Sequence, residues 1–475
     1  MPRESIIDCD VVVLGAGAAG LMAGRAAAEG GAKVYVISKM PHRASSPTTR
    51  AYGDITWSTE EATDELVRQV IETGGFLGDQ RRVRQFAEAV PPMLNTLRII
   101  GAQFDEPKPA GEGMPGVIRW SYRGVDAGEE LIQRLIDSSG ARHMWLFTAT
   151  EILLSDGKVC GVAAIGQKAR EPVMFRCPCV ILATGGGAAA FERTDNPPGA
   201  TGDGIAMAWE AGAELVDLEL ISFGYPKNRV ADVRERGQEL REELLDLGHA
   251  HYFLGGVRVD ERCETAVRGL YAAGEVTGGL FGAGRLGGSA LADCFVFGQE
   301  AGHNAASEAE GREARIPEDL LGAASDRIEG ILRGDRDPAP VHDRICEIAW
   351  RGIGPVKSEE SIRRALEELD LLEKDLAFIG GAKREQLRLA VEARQMHTLA
   401  RLVAKASLER RETRGCYWRV DHPTPDNDAE LRNIVLRKSG GGCEIASQPP
   451  VLSDITEPVE PRIGAGCFGY LDRSD

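Results

Sequence analysis

Strand-like and helix-like patterns of apolar residues alternate at the start of the chain. Residues 9–14 and 33–38 are short, mainly apolar runs, which predict two buried parallel strands. Residues 21–29 between them are rich in alanine and long enough for a helix that crosses from one strand to the next. This strand–helix–strand order predicts the first unit of a Rossmann-type α/β domain.

The middle of the chain changes between helical and strand-like spacing. Residues 60–99 place apolar side chains among charges at helical intervals. Residues 152–154, 159–164 and 173–176 alternate as in an antiparallel meander, and the apolar run 179–182 is predicted to return as a buried parallel strand. The α/β domain is therefore predicted to be built from separate segments of the chain.

Long helical periodicity dominates from residue 315 onwards, with runs at 359–376 and 383–408 that are rich in Ala, Leu, Glu and Arg. These runs predict a helical scaffold with a solvated, charged face. Residues 438–475 are rich in Pro and Gly and show no period, so we expect an irregular tail that wraps the protein or contacts a partner.

Composition narrows the class of protein. A chain of 475 residues exceeds one ordinary hydrophobic core, so two or three domains are expected. A net charge of −17 argues against nucleic acid as a partner. The apolar stretch at 11–24 is too short to span a bilayer and follows two aspartates, so we expect neither a transmembrane helix nor a signal peptide, and a cytoplasmic protein.

The ten cysteines are scattered, and the one close pair, Cys177 and Cys179, lies in a strand-like stretch without a second pair at metal-binding spacing. We therefore expect buried free thiols and no metal site. A second redox centre would have to lie on another protein.

Five glycine-rich blocks carry the candidate chemistry: GAGAAG at 15–20, ATGGGA at 183–188, ATGDG at 200–204, AAGE at 272–275 and GRLGGSAL at 284–291. The first block lies where a predicted strand turns into a helix, where glycine lets the backbone approach a pyrophosphate and the helix N-terminus supplies N–H donors. Such a motif alone also occurs in ordinary turns, so the order of all five blocks carries the prediction of one bound dinucleotide.

These blocks, with SSPTTRAYGDI, HYFLGGVRVD and RRETRGCYWRVDHP, resemble the succinate dehydrogenase and fumarate reductase flavoprotein subunits over about residues 8–437. The wider family includes L-aspartate oxidase and the adenylylsulfate reductase flavoprotein. The resemblance implies an α/β fold: a Rossmann-type FAD-binding domain with an antiparallel meander, a reduced capping segment and a C-terminal helical bundle. The implied boundaries are 1–226 and 249–314 for the FAD-binding domain, 227–248 for the capping segment, 315–437 for the helical domain and 438–475 for the tail.

The resemblance also implies FAD as the cofactor. Membrane-bound relatives join a histidine covalently to the flavin, whereas Pro47 takes that place here and has no nucleophile, so non-covalent FAD is expected. Ser289–Leu291 would begin a helix at 290–302 that faces the flavin edge which gains negative charge on reduction. Glu275 would accept from ribose or ribitol hydroxyls, or else be an acid at a helix start. The residues expected to contact FAD are Gly15, Gly17, Ala18, Ala19, Gly20, Ser38, Lys39, Ser46, Thr48, Thr49, Gly53, Asp54, Ala149, Ala183, Thr184, Gly185, Asp203, Gly274, Glu275, Ser289, Ala290 and Leu291.

His251 and Arg285 match the family's carboxylate clamp and are the candidate catalytic residues; Arg285 could instead only pair with an acid of the fold. Three features depart from the family. SFGYP at 222–226 stands where succinate- and fumarate-active relatives read QFHPT, and residues 227–248, which include four arginines, replace a capping domain of roughly a hundred residues. Tyr417 occupies a histidine position, while Arg414 is retained.

These departures disfavour succinate or fumarate as the substrate. The leading hypothesis is hydride transfer between FAD and a small carboxylate- or phosphate-bearing substrate. The alternatives are an electron-transfer subunit that works with an iron–sulfur partner, and a flavoprotein oxidase that uses dioxygen. An oligomer or heteromer is expected.

Overall fold

The computed structural model describes residues 5–41, 46–50, 54–106, 108–109, 116–121, 127–226, 245–381, 383–461 and 468–470. The helices are α1 Ala18–Glu29, α2 Pro47–Arg50, α3 Thr63–Thr73, α4 Gln80–Ile99, α5 Ala127–Ser138, α6 Asp203–Glu210, α7 Ser289–Ala309, α8 Glu318–Arg333, α9 Ala339–Ile353, α10 Glu359–Leu376 and α11 Arg384–Glu409. The strands are β1 Ser5–Asp8, β2 Val11–Leu14, β3 Val34–Ser38, β4 Asp54–Ser58, β5 Lys108–Pro109, β6 Val117–Ser121, β7 Arg142–Trp145, β8 Phe147–Ser155, β9 Lys158–Gly166, β10 Glu171–Arg176, β11 Cys179–Leu182, β12 Leu215–Val216, β13 Ile221–Pro226, β14 His249–Phe253, β15 Gly256–Val257, β16 Leu270–Ala272, β17 Asn433–Ser439, β18 Gly442–Gln448 and β19 Phe468–Tyr470.

A five-stranded parallel sheet in the order β16-β11-β2-β3-β7 forms the centre of the first domain. The side chains of β2 and β11 are buried throughout, as expected for strands covered on both faces. The predicted parallel strands at 9–14, 33–38 and 179–182 and the crossing helix α1 are confirmed. Strands β2, β11 and β16 bring their glycine-rich turns to the carboxyl edge of this sheet.

Helix α7 lies directly against α1. A Cβ at Gly298 would be 2.6 Å from the carbonyl oxygen of Ala19, and one at Gly302 would be 2.3 Å from that of Ala23. The two helices therefore approach at backbone distance because both positions lack a side chain. This packing fixes the N-terminus of α7 relative to the first glycine turn.

A second sheet has the order β1-β10-β9-β8, in which β8, β9 and β10 are joined antiparallel. The predicted meander is confirmed. The predicted helical stretch at 60–99 is also confirmed as α3 and α4, separated by the turn around Gly74 and Gly75.

None of the helices in the described part of the chain combines the length and the apolar character that a membrane span requires.

The helical region contains α8 to α11, and α9, α10 and α11 pack on one another. The expectation of an irregular tail from residue 438 is wrong for 438–448. Strands β17 and β18 form a hairpin there, with Ser439 opposite Gly442 and positive φ angles of 54° and 83° at Gly440 and Gly441. Two successive glycines with positive φ make a turn that matches the twist of a hairpin.

The helical region and the hairpin are tied to the first domain by buried charge. Arg410 is fully buried and contacts Asp217 at 3.2 Å, Glu219 at 2.6 Å and Glu412 at 3.2 Å. Strand β17 also pairs with β12, which follows α6 in the first domain. The two regions therefore share one interior. Removing Arg410 would leave its buried acidic partners without its charge.

Arg414 and Tyr417, from the altered family signature, lie in this same interior. Arg414 pairs with Glu412 at 2.6 Å and donates to the carbonyl oxygen of Gly75 at 3.0 Å. The hydroxyl of Tyr417 donates to the carbonyl oxygen of Ser407 at 2.9 Å. These contacts hold segments of the fold together. Of the predicted capping segment 227–248, residues 227–244 lie outside the described residues, and 245–247 form one helical turn.

Candidate functional site

The turn from β2 to α1 contains Gly15, Gly17 and Gly20. The surrounding chain requires glycine at two of these positions and leaves space at the third. A Cβ at Gly15, where φ is 111°, would be 2.2 Å from the carbonyl oxygen of Ala183. A Cβ at Gly20 would be 2.0 Å from the carbonyl oxygen of Gly15. Packing of the chain alone therefore requires glycine at these two positions.

Gly17 is different, because the chain leaves room beside it. Its φ of −82° suits any residue, and a Cβ would meet only Thr48 Oγ1 at 3.6 Å and Ser46 Cβ at 3.7 Å. At Gly185, in the second glycine turn, nothing lies within 4 Å of a Cβ. Space of this kind beside a helix N-terminus fits the pyrophosphate of a dinucleotide.

Thr48, on α2, lies over the start of α1. Its Oγ1 accepts from the backbone N–H of Ala18 at 3.2 Å, and the adjacent Ala19 follows in the first turn of the helix. Thr49 donates through its hydroxyl to the carbonyl oxygen of Ser46 at 2.8 Å. These contacts place Ser46, Pro47 and Thr48 beside the first glycine turn, and their contact with FAD stays a prediction. Gly53 lies outside the described residues, and Asp54 begins β4.

Lys39 and Asp203, both predicted to contact FAD, meet in a buried ion pair at 2.6 Å. Lys39 also contacts Glu392 of α11 at 2.7 Å and donates to Thr201 Oγ1 at 2.6 Å. Burial alone would lower the pKa of Lys39, but the carboxylates of Asp203 and Glu392 raise it. The lysine is thus held charged at the end of β3, with Arg388 balancing Glu392 at 2.6 Å.

Four more predicted cofactor residues make hydrogen bonds within the chain: Ser38, Ala149, Ala183 and Thr184. Thr184 Oγ1 accepts from the N–H of Gly204 at 3.2 Å, which joins the second and third glycine blocks. The N–H of Ala183 donates to the carbonyl oxygen of Leu14 at 2.8 Å. Ser38 Oγ accepts from the N–H of Met40 at 3.3 Å. The carbonyl oxygen of Ala149 accepts from Gln395 Nε2 at 3.4 Å, a second contact with α11.

Glu275 follows Gly274, whose φ is 75°, and is buried. Its Oε1 accepts from the N–H of Phe253 at 3.0 Å, so the carboxyl group is tied to β14. Burial raises the pKa of Glu275 to about 7, opposed by hydrogen bonds from the backbone of Phe253 and Gly186 and by the charge of Arg285. This carboxyl group links the fourth glycine block to the strand that carries His251.

The N-terminus of α7 begins at Ser289, after Gly288 with a φ of 84°. The predicted helix at 290–302 is confirmed and extends to Ala309. Ser289 is fully buried, and its Oγ has no hydrogen-bond partner among the residues described. A buried hydroxyl at a helix N-terminus, with Ala290 and Leu291 in the same turn, fits a ligand edge that accepts hydrogen bonds.

The two candidate catalytic residues are brought together. Arg285 Nη2 lies 3.4 Å from His251 Nε2, and the Arg285 guanidinium carbon lies 4.5 Å from the centre of the Tyr252 ring. His251 Nδ1 lies 2.7 Å from Asp195 Oδ2. Burial would raise the pKa of Asp195, but the hydrogen bonds with His251 and Asn196 hold it below its usual range. Asp195, His251 and Arg285 therefore form one polar chain.

Sequence reasoning missed Asp195, Thr201 and Glu392. Thr201 lies inside the ATGDG block, so its proximity to Asp203 could have been inferred. Asp195 and Glu392 carry no local signal, because each meets its partner only through tertiary packing. Residues 222–226, which differ from the QFHPT of fumarate-active relatives, lie on β13. Gly224 pairs with His249 of β14, and Phe223 and Tyr225 are buried.

Comparison with known proteins agrees with this geometry. The family model described as FAD binding domain matches residues 10–234 and 247–291, more than half of the chain. The model described as fumarate reductase flavoprotein C-term matches residues 342–463. The first match contains all five glycine blocks, and the second contains most of α9, all of α10 and α11, and the hairpin.

Two curated relatives cover nearly the whole chain. The fumarate reductase (CoM/CoB) of Methanothermobacter marburgensis has a subunit that is 29% identical over 92% of this chain and 98% of its own length. L-aspartate oxidase of Streptomyces coelicolor is 29% identical over 91% of this chain and 92% of its own. The overall order of domains is thus shared with proteins of different named activity.

Solved structures show the same fold. Quinol fumarate reductase FrdA of E. coli superposes with a TM-score of 0.85 at 22% identity, covering 97% of this chain and 99% of that one. Adenylylsulfate reductase of Archaeoglobus fulgidus gives a TM-score of 0.78 at 16% identity, covering 94% and 98%. The chain therefore belongs to the family of FAD-dependent oxidoreductases that includes the fumarate reductase and succinate dehydrogenase flavoproteins and L-aspartate oxidase.

Proposed function

We propose that this protein transfers a hydride between non-covalently bound FAD and a small anionic substrate that Arg285 and His251 hold. One observation carries the proposal. Arg285 approaches His251 to 3.4 Å and lies four positions before Ser289, which begins α7 and whose hydroxyl has no partner among the described residues. The pair that would hold an anion is thus adjacent to the buried hydroxyl that would face the flavin. Bound FAD would supply a two-electron hydride acceptor or donor.

The residues that would hold FAD divide by the part of the cofactor they suit. Gly17, Gly185 and the N–H groups of α1 leave room for the pyrophosphate. Ser289 and the first turn of α7 suit the flavin edge that gains negative charge on reduction, because a helix N-terminus stabilises an anion. Lys39 and Asp203 neutralise each other, so they would shape the cofactor pocket without adding net charge.

Arg285 and His251 suit a carboxylate or phosphate group. The guanidinium has a planar fork of donors that matches such an anion, and its stacking on Tyr252 restricts its orientation. Its Nε has no partner among the described residues, so donor capacity is left over for a ligand. Fixing one end of the substrate in this way would place its reacting carbon reproducibly.

The experiment uses the FAD-loaded protein under anaerobic conditions. Oxidised enzyme is mixed with saturated carboxylates and photoreduced enzyme with unsaturated ones, and flavin absorbance reports hydride transfer. With a reacting substrate, Arg285→Lys is expected to lower the rate by about two orders of magnitude, because the charge stays and the fork is lost. Arg258→Lys, at a partly exposed pair with Glu214, is the matched control and should keep the rate. Equal rates in Arg285→Lys and the parent would contradict the clamp.

A second candidate function is an electron-transfer subunit that passes electrons to an iron–sulfur partner. It is favoured by the named relatives that are subunits, such as the fumarate reductase flavoprotein subunit of Mycobacterium tuberculosis. Copurification of an iron–sulfur protein with this chain would support it. Fast reoxidation of the reduced flavin by air without any partner would instead favour an oxidase.

A further inference from the structure

The loop that carries Asp195 is fixed against β14. Thr194 Oγ1 donates to the carbonyl oxygen of Ala250 at 2.9 Å, and the N–H of Ala250 donates to the carbonyl oxygen of Arg193 at 2.9 Å. Asn196 Nδ2 donates to the carbonyl oxygen of His251 at 2.7 Å. Three hydrogen bonds on both sides of Asp195 thus hold its backbone beside the strand of the candidate histidine.

The Asp195 carboxylate is used at both oxygens. Oδ2 lies 2.7 Å from His251 Nδ1, and Oδ1 accepts from Asn196 Nδ2 at 3.0 Å. A carboxylate only accepts hydrogen bonds, so the ring proton of neutral His251 lies on Nδ1. Nε2 then carries a lone pair that faces Arg285 Nη2 at 3.4 Å.

The hydrogen bonding of His251 would have to change when an anion binds between Arg285 and His251. An anion between Arg285 and His251 needs donors, and Nε2 becomes a donor only by taking up a proton. The positive charge of the resulting imidazolium would be balanced by Asp195, the residue that already accepts from Nδ1. An anion thus favours the protonated ring on one side while Asp195 stabilises it on the other.

We propose that Asp195 is a positioning residue that makes His251 the proton carrier of the anion site: His251 binds a proton on Nε2 together with the substrate and passes it to a substrate carbon. The inference rests on the proposed function. In the direction of substrate reduction, the Nε2–H bond breaks and a new C–H bond forms with the electron pair of the substrate's double bond. Bound FAD in its reduced form would supply a hydride, which carries the two electrons and the second hydrogen to the other carbon of that double bond, and His251 is left neutral with Nδ1–H on Asp195.

Other charged groups around this pair modulate its proton affinity. Arg285 faces Nε2 directly, and its charge opposes protonation until an anion neutralises it. His249 and Arg193 lie near Asp195, and Glu275 lies near Arg285. The proton is therefore expected to arrive with the anion and not before it.

The first test measures proton uptake without turnover. Oxalate, an unreactive dicarboxylate, is titrated into the FAD-loaded protein at about pH 8, above the ordinary histidine pKa of about 6.5, in buffers of different ionisation enthalpy. Parent protein is expected to take up about half a proton or more per oxalate bound. Asp195→Asn keeps an acceptor for Nδ1–H but loses the charge, so uptake should fall at least about fivefold. His251→Gln should abolish it, whereas Glu192→Gln, on the same loop, should match the parent.

The second test separates a positioning role from a structural one. With a substrate from the carboxylate panel, Asp195→Asn should lower kcat by about 100-fold, the usual contribution of a positioned acid or base, with KM within about threefold. Unchanged kcat in Asp195→Asn, or normal proton uptake in either variant, overturns the inference and leaves the proposed function standing. If the parent neither binds oxalate nor transfers a hydride to or from any carboxylate, the proposed function fails and this inference fails with it.

Discussion

Lys39 Nζ lies 2.7 Å from the carboxylate of Glu392, a buried residue of α11. The lysine directly follows β3 of the parallel sheet, so a helix from a distant part of the chain contacts a residue that is predicted to bind the cofactor. Family resemblance implied a helical scaffold there. The contact shows that this helical region supplies a charged partner to Lys39.

Lys39→Met is expected to destabilise the protein strongly. The change leaves Asp203 and Glu392 without their shared lysine, and breaking a buried pair from one side costs about 3–5 kcal/mol. Urea unfolding with excess FAD measures the loss. Adding Asp203→Asn to Lys39→Met should recover part of it, because the carboxylate that pairs with Lys39 is removed, whereas Glu392 keeps its pair with Arg388. Arg333→Met, at an exposed pair on α8, should change the free energy of unfolding by less than about 1 kcal/mol.

The flavin should be released completely when the protein is precipitated with acid. Pro47 begins α2 beside the first glycine turn and offers no nucleophile for a covalent bond to the ring. The absorbance of the supernatant and of the washed pellet gives the measurement. Yellow colour that stays with the denatured chain would mean that another side chain is bonded to the flavin.

Gly17→Val should yield a folded protein that lacks FAD. The backbone at Gly17 has a φ of −82°, and the chain leaves van der Waals space for a Cβ, so the substitution is costly only where a ligand fills that space. Flavin content per folded protein, with circular dichroism as the check on folding, measures the effect. Gly322→Val, at an open and exposed position of α8, is the control and should retain FAD. Full occupancy in Gly17→Val would show that the pyrophosphate lies elsewhere.

Asp293→Asn should stabilise the protein at high pH and have little effect at low pH. Burial raises the pKa of Asp293 to about 7, and its Oδ1 has no partner among the described residues. Since the folded pKa exceeds the unfolded value, the native state binds the proton more tightly, and this stability is lost as pH rises through about 7. Urea unfolding with excess FAD should show a gain of up to about 3 kcal/mol at pH 8 and almost none near pH 4. A gain of equal size at both pH values would point to packing instead of ionisation.

The protein is not expected to interconvert succinate and fumarate at a physiological rate. So small a substrate needs both carboxylates held and water excluded, whereas 222–226 presents Gly224 or Tyr225 where fumarate-active relatives have a histidine, and the predicted capping segment is short. Photoreduced flavin should therefore persist when fumarate is added without oxygen. Rapid oxidation with stoichiometric succinate would instead show that residues 227–248 replace the missing cap, with one of their arginines as the acid.

Local pattern predicted the parts of the fold that depend on neighbours in the sequence. The strands and α1 follow from apolar periodicity, and the glycine turns follow from their place at strand ends. The hairpin β17–β18 was missed although Gly440 and Gly441 give a two-glycine turn, because its strands are half-exposed and their alternation is weak. Asp195 and Glu392 could not be predicted, since an acid in a loop and an acid on a charged helix look alike until packing supplies their partners.

The contacts of Arg410 and β17 also bear on how the protein is made. During synthesis the N-terminal sheet emerges first. Asp217 and Glu219 can pair with Arg410, and β12 can pair with β17, only after α11 has been synthesised. The pocket wall around Lys39 is complete only when α11 has left the ribosome. We therefore expect cofactor loading to follow the emergence of α11, and a nascent chain that stops before α11 to hold FAD weakly.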